Sequence, residues 1–155
     1  MGLAIKGKKV IGLALNGKKI LGEVKNGKVI WRFFNPWKFT ADGSVYSVAV
    51  DSSGNVYAGT SGNSVYKLDA SGKQVWKFYT DDAANSVAVD SSGNVYAGTS
   101  SNSVYKLDAS GHQMWQFTAG NAVESVAVDS SGNVYAGAYG NSVYKLTPNG
   151  SNTTT

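Results

Sequence analysis

The sequence predicts an all-β protein in which repeated four-stranded antiparallel units follow a separate N-terminal sheet. A 39-residue unit occurs three times in the 155 residues. Within each unit, short β-branched and aromatic runs alternate with clusters of Gly, Ser, Asn and Asp, which is the pattern of strands and turns. The length corresponds to roughly one domain. The lack of cysteine excludes a disulfide scaffold and a Cys-ligated metal site.

Charge divides the chain into two predicted modules. Residues 1–38 hold nine basic side chains and one acid, whereas residues 39–155 hold five lysines and nine acids. Opposite net charges in the two parts suggest separate modules. We predict a basic β-meander over residues 1–35, three repeat units over residues 36–146 and a flexible tail over residues 147–155.

The N-terminal module has its own repeat of ten residues. Asn16-Gly17 and Asn26-Gly27 are strong two-residue hairpin signals, and Lys6-Gly7 lies in the same phase. We predict strands over residues 2–5, 8–15, 18–25 and 28–34, with Leu13 opposite Ile20 and Gly22 opposite Trp31. The apolar face of this sheet would hold Ile11, Leu13, Leu15, Ile20, Val24, Val29, Trp31 and Phe33. Such Lys- and Gly-rich meanders resemble modules of bacteriophage tail and baseplate proteins.

The 39-residue repeat is nearly uniform. The segment Ser47–Gly59 recurs unchanged from Ser86 and again from Ser125. Asp begins the turns between strands A and B and between strands C and D, and each turn contains a Gly that can take positive φ. Four antiparallel strands at a period near 40 residues are typical of a β-propeller blade. In the first unit we predict strands A, B, C and D at Ser47–Val50, Val56–Gly59, Ser64–Leu68 and Val75–Phe78.

Two segments of the unit resemble known propeller repeats. The run Ser-Val-Ala-Val-Asp-Ser-Ser-Gly-Asn-Val-Tyr that starts at Ser47 resembles the opening of NHL-type repeats. The run from Ser64 to Phe78, with its Trp near the end, resembles the second half of the PQQ-like repeat. The resemblance implies a β-propeller over residues 37–146. It implies no quinone and no cofactor, because the metal ligands and cofactor-stacking groups of the larger enzymes have no match in this chain.

The third repeat unit is missing one strand of its predicted blade. The third unit lacks its own strand D, while Trp37-Lys-Phe39 lies one period before Trp76. We therefore predict that residues 37–40 supply strand D of the last blade, beside Ser142–Leu146. Three blades fall below the roughly four to eight of known propellers. We expect a head-to-tail homo-oligomer, with a six-bladed dimer favoured over a nine-bladed trimer, and a monomer with the meander as a fourth blade stays open.

Catalytic and metal-binding constellations are sparse. His112 is the single histidine and falls in a turn, so it has no partner for metal binding. Asp51 and its two copies, Asp90 and Asp129, supply one carboxylate per turn, which suits turn capping better than calcium binding. The pair Asp81-Asp82 is read as solvated. We predict a protein that is not an enzyme and has neither metal nor cofactor.

Differences between the repeats point to one loop face. The connections from D to A and from B to C vary, and in a propeller these emerge on the same face. The candidate ligand-binding residues are Tyr46, Asn85 and Glu124, which share one repeat position, together with Tyr79 and Tyr139. We predict a structural or adhesive module, for example of a phage tail or of surface attachment, that binds glycan or protein. A lectin-like propeller and an engineered or recently amplified repeat without an evolved ligand are the alternatives.

Partners and location follow from charge and hydropathy. Lysines of the meander lack interleaved exposed aromatics, so we expect them to protect exposed strands rather than to bind nucleic acid. No apolar run approaches the roughly 18 residues that span a bilayer, and the N-terminus lacks the pattern of a signal peptide. We expect a soluble protein without a membrane partner, located in the virion if it derives from a phage.

Overall fold

A computed structural model describes residues 36–152 with their side chains and the backbone of four strands before them. These strands are β1 (Leu3–Ile5), β2 (Lys8–Leu15), β3 (Lys18–Lys25) and β4 (Lys28–Phe34). The chain divides into two compact units, Met1–Lys38 and Phe39–Thr155. No helix of the described part is long and apolar enough to cross a membrane.

The first unit holds one antiparallel sheet in the order β1-β2-β3-β4. Leu13 pairs with Ile20 and Gly22 pairs with Trp31, as the two-residue turns predict. The predicted apolar face, its docking and its use as a fourth blade depend on side chains outside the described residues, so these predictions remain open.

The second unit is a series of three antiparallel sheets, one for each repeat. Blade one has the order β5-β6-β7-β8, blade two β9-β10-β11-β12, and blade three only β13-β14-β15. The predicted strands are therefore present, with ends that differ by one or two residues. Their bounds are β5 Val45–Val50, β6 Val56–Thr60, β7 Ser64–Leu68, β8 Gln74–Tyr79, β9 Ala84–Val89, β10 Val95–Thr99, β11 Ser103–Leu107, β12 Gln113–Thr118, β13 Val123–Val128, β14 Val134–Ala138 and β15 Ser142–Leu146.

The turns between the first two strands of each blade are held by their aspartate. In blade one, Asp51 Oδ1 accepts the backbone N–H groups of Ser53 and Asn55, and its Oδ2 accepts the side chains of Asn55 and Tyr57. Gly54 has φ +84°, a left-handed conformation that glycine adopts without strain. Asp90 and Asp129 repeat these bonds. The three aspartates thus cap turns, as predicted.

The hydrophobic core lies between neighbouring blades. Burial of apolar side chains drives this packing, at about 25 cal/mol for each Å² removed from water. Tyr57 and Tyr96 are fully buried in this core. The cluster between blades one and two comprises Tyr57, Val65, Ala84, Val87, Val95, Ala97, Tyr105 and Leu107, and the next comprises Tyr96, Val104, Ala119, Val123, Val134, Ala136 and Leu146.

Each outer-strand tryptophan packs on a turn of the next blade. The ring of Trp76 lies against Gly111, and its Nε1 donates to the carbonyl of Ala109 at 3.1 Å. Lys67 donates to the same carbonyl at 3.1 Å. Trp115 and Lys106 repeat this arrangement on blade three.

The segment that follows β15 forms a hydrogen-bonded turn within the predicted tail. The tail over residues 147–155 is predicted to be flexible, yet Thr147 N–H donates to the Ser151 carbonyl and Leu146 forms a bridge with Asn152. Trp115 Nε1 donates to the carbonyl of Pro148 at 2.9 Å. Residues 147–152 therefore form the turn on which the neighbouring tryptophan packs. Residues 153–155 of the predicted tail lie outside the described part.

Candidate functional site

Three of the predicted ligand-binding residues lie together. Tyr46, Asn85 and Glu124 stand near the start of the first strand of their blades, on β5, β9 and β13. They line one open depression of about 290 Å³. Consecutive blades place equivalent positions side by side, so one repeat position presents a phenol, an amide and a carboxylate to the same space.

Asn85 is held in place by the protein and keeps part of its hydrogen-bonding capacity. Its Nδ2 donates to the carbonyl of Val123 at 3.2 Å, and its Oδ1 accepts the hydroxyl of Ser100 at 3.2 Å. A primary amide has two N–H donors and two acceptor lone pairs. One donor and one lone pair therefore remain for a ligand in the depression.

Tyr46 and Glu124 supply the exposed side chains of the depression. The side chain of Tyr46 is 57% exposed, which is high for a large aromatic residue. Glu124 is also exposed. A phenol ring offers an apolar face and a hydroxyl, and the carboxylate accepts hydrogen bonds.

The other two predicted residues lie outside this depression. Tyr79 ends β8 and is 70% exposed, with Lys77 Nζ at 4.2 Å from its ring centre. Tyr139 follows β14 and is 72% exposed. The depression is lined by Tyr46, Asn85 and Glu124 alone, so Tyr79 and Tyr139 are not part of its lining.

The acidic pair Asp81-Asp82 serves the fold. The carboxylate of Asp81 accepts the hydroxyls of Thr99 and Ser103, which are 0% and 2% exposed. Partial burial opposes the ionisation of Asp81, but these hydroxyl donors outweigh it and lower the pKa of the carboxyl. Asp81 thus ties the loop before β9 to the ends of β10 and β11, although the residue itself is exposed, as predicted.

Blade one contains the same tie with an added ion pair. Asp42 accepts the hydroxyls of Thr60 and Ser64, and its Oδ2 lies 2.7 Å from Lys77 Nζ. Sequence reasoning missed this tie. The sequence contained a signal for this tie, because the aspartate and the threonine that it joins are both replaced in the third unit. Gly120 stands in place of the aspartate, and Ala138 stands in place of the threonine.

The remaining ionisable candidates show no grouping for chemistry. His112 lies in its turn with Nδ1 3.3 Å from Asp108 Oδ2, and its side chain is 80% exposed. Within residues 36–152, no group of three or more His, Cys, Asp or Glu side chains could hold a metal ion. The depression on the first strands brings together three different polar side chains from one repeat position, and it is the candidate site that we consider.

Known proteins share this architecture. Residues 18–153 match the family described as outer membrane protein assembly factor BamB, which confirms the predicted PQQ-like resemblance. The crystal structure of the computationally designed Ika8 protein is similar, with a TM-score of 0.70 and 13% identity, over 94% of this chain and 48% of that one. BamB from Moraxella catarrhalis gives a TM-score of 0.66 and 18% identity, over 99% of this chain and 46% of that one.

The chain thus spans about half the length of these two solved chains. None of the curated proteins matches it. At such identities the two structures establish the β-propeller fold and nothing about activity.

Proposed function

Since the chain belongs to the BamB-like family of PQQ-type propeller repeats, we propose that it is a non-catalytic attachment module that binds a glycan at the depression of Tyr46, Asn85 and Glu124. The depression carries this proposal. The three repeats are almost identical outside the connections from D to A and from B to C, and one of the variable positions converges on a shared concave surface. A structural scaffold has no need for a different residue there in each blade.

The chemistry of the depression favours carbohydrate as the ligand. Sugars combine an apolar C–H face with hydroxyl groups that both donate and accept hydrogen bonds. Tyr46 supplies an exposed ring for the C–H face, while Asn85 and Glu124 supply a donor and acceptors for the hydroxyls. Specific sites usually hold a few convergent polar groups of this kind within a concave surface.

A non-catalytic role is supported by the use of the other polar side chains. Hydrogen bonds within the fold occupy the carboxylates of Asp42, Asp81 and the three turn aspartates. A paired-carboxylate hydrolase needs two carboxyl groups about 5 to 9.5 Å apart around the scissile bond. The depression offers one carboxylate, that of Glu124. Attachment to a surface, as in a phage tail component, is a role that such a module serves.

A glycan array with three proteins tests the proposal. We expect binding by the wild-type chain and at least a tenfold loss for Tyr46→Ala, which corresponds to about 1.4 kcal/mol. Tyr139→Ala is the matched control, since Tyr139 is also an exposed tyrosine but lies outside the depression, and it should bind like the wild type. A flat array, or an equal loss in both variants, would overturn glycan binding at this site and leave the scaffold alternative.

A further inference from the structure

Blade one has an apolar face without a neighbouring blade among the described residues. Val48 and Val50 on β5 are 66% and 63% exposed. Val87, the equivalent of Val48 in blade two, is only 6% exposed because it packs against blade one. We call the side of β5 that carries Val45, Val48 and Val50 the leading face.

Blade three has the opposite face open. Val143 on β15 is 77% exposed, whereas its equivalents Val65 and Val104 are 0% exposed between blades. Tyr135 is half-buried where Tyr57 is fully buried. We call the side of blade three that carries Tyr135, Gly137 and Val143 the trailing face.

The contacts between blades within the chain show what these two faces fit. A Cβ placed on Gly59 would lie 3.1 Å from Val87 Cγ1 and 3.2 Å from Ala84 Cβ, so the two blades meet closely at a bare glycine. Ser47 Oγ also accepts the N–H of Val87 at 3.0 Å. Gly98 and Ser86 make the same two contacts with blade three.

The trailing face offers the next members of both series. Gly137 is the third equivalent of Gly59, and Ser125 is the third equivalent of Ser47. A Cβ on Gly137 would meet only the hydroxyl of Ser125, at 2.7 Å, and no residue of another blade. The leading face carries Val48, the counterpart of the Val87 that covers Gly59. The two open faces are therefore complementary in the same way as the internal interfaces.

We propose that a second copy of this chain packs its leading face on the trailing face of the first. The leading face of the first copy packs in the same way on the trailing face of the second, and this second contact closes a ring. The two contacts are heterologous and related by a two-fold rotation. This inference extends the proposed function, because the ring carries a second depression of Tyr46, Asn85 and Glu124.

The edge strand of blade three gives the second copy a further place to bind. The sheet β13-β14-β15 has three strands where the other two blades have four, and β15 is its edge strand. Phe39 lies on Tyr66 of blade one with ring centres 5.1 Å apart, as Phe78 lies on Tyr105 at 5.4 Å. Phe39 thus occupies the place of a strand D residue from a preceding blade. In the single chain, residues 36–41 are not a strand, and we infer that residues 37–40 pair with β15 of the other copy.

The mass in solution tests this assembly directly. Light scattering on the full 155-residue chain should give twice the chain mass of 16.2 kDa. A particle of 16.2 kDa would overturn the proposal. Three times that mass would keep the contact between the faces and overturn the two-copy ring. Because this measurement involves no glycan, its failure is separate from failure of the proposed function.

Two substitutions on the trailing face test the contact itself. Val143→Arg places a charge where the second copy packs, and Gly137→Leu fills the space that bare glycine leaves. We expect both variants to have the mass of one chain at concentrations where the wild type is dimeric, with at least a hundredfold weaker association. Met114→Arg is the matched control, because Met114 is 56% exposed on the outermost strand of blade two. Dimeric Val143→Arg would overturn the proposed interface, and circular dichroism verifies that each variant is folded.

Discussion

At the scale of single residues, one carboxylate holds the loop before blade one and another holds the loop before blade two. Asp42 accepts the hydroxyls of Thr60 and Ser64 and pairs with Lys77, and the two charged side chains are 30% and 20% exposed. Partial burial opposes ionisation of Asp42, yet the bonds from Lys77, Ser64 and Thr60 outweigh it and lower the pKa of the carboxyl to about 2 from 3.8. The ionised form therefore stabilises the folded chain.

This pKa predicts the stability of Asp42→Asn as a function of pH. A carboxyl with a lowered pKa stabilises the fold above its unfolded value near 3.8, and the contribution disappears as pH falls towards 2. We expect Asn to cost about 1 kcal/mol at pH 7, after allowance for solvent screening, and much less at pH 2. Urea denaturation at both pH values measures it. Asp82→Asn is the control in the next loop, and an equal effect of pH on both variants would contradict the argument.

Part of the candidate site can be predicted from the residue types in the sequence alone. Tyr46, Asn85 and Glu124 could be found from the sequence, because a repeat period turns one variable position into neighbours in space. The structural role of Asp81 could not, because its bonds to Thr99 and Ser103 depend on where the loop before β9 comes to rest. That position is set by packing between strands distant in sequence, which local patterns do not record.

At the scale of elements, the strands follow from alternation and turn chemistry, and the sequence predicts them within two residues. The turn on which a tryptophan packs is different. Gly72 and Gly111 are predicted only as turn glycines, yet Gly111 also lies beneath the ring of Trp76 of the preceding blade. A contact between elements of different blades adds a second requirement for glycine, and the turn motif itself carries no sign of it.

Two glycines of blade two allow the requirement for positive φ to be tested separately from the requirement for space beneath the tryptophan ring. Gly93 and Gly111 have similar φ values of +81° and +88°. A Cβ on Gly93 would meet only the Ala109 side chain at 3.4 Å, whereas one on Gly111 would lie 2.8 Å from Trp76. We expect Gly93→Ala to cost about 1 kcal/mol of backbone strain, and Gly111→Ala to cost about 2 to 4 kcal/mol because the ring must also move. Equal denaturation midpoints for the two variants would exclude the contribution of the tryptophan contact.

At the scale of the whole molecule, three blades leave two complementary faces, and the sequence predicts this incompleteness from its count of strands. Val48 at one end and Val143 at the other are the most exposed valines of the described chain. Isolated blades bury their cores only against neighbours, as in other repeat proteins. The end blades of a single copy should therefore be less stable than blade two, whose two sides are both covered.

This difference predicts that thermal stability depends on protein concentration. A partner that binds only the folded chain stabilises it by mass action, so the unfolding midpoint of a dimer rises with concentration. For a chain of this size a gain of about 1 kcal/mol raises the midpoint by roughly 2 to 4 °C. We expect calorimetry over a hundredfold range of concentration to show such a rise for the wild type and for Met114→Arg. Val143→Arg should unfold at one lower temperature throughout, since the packing of its trailing face against a second copy is lost. A wild-type midpoint that stays constant while the chain is dimeric would mean that the two copies do not share their core.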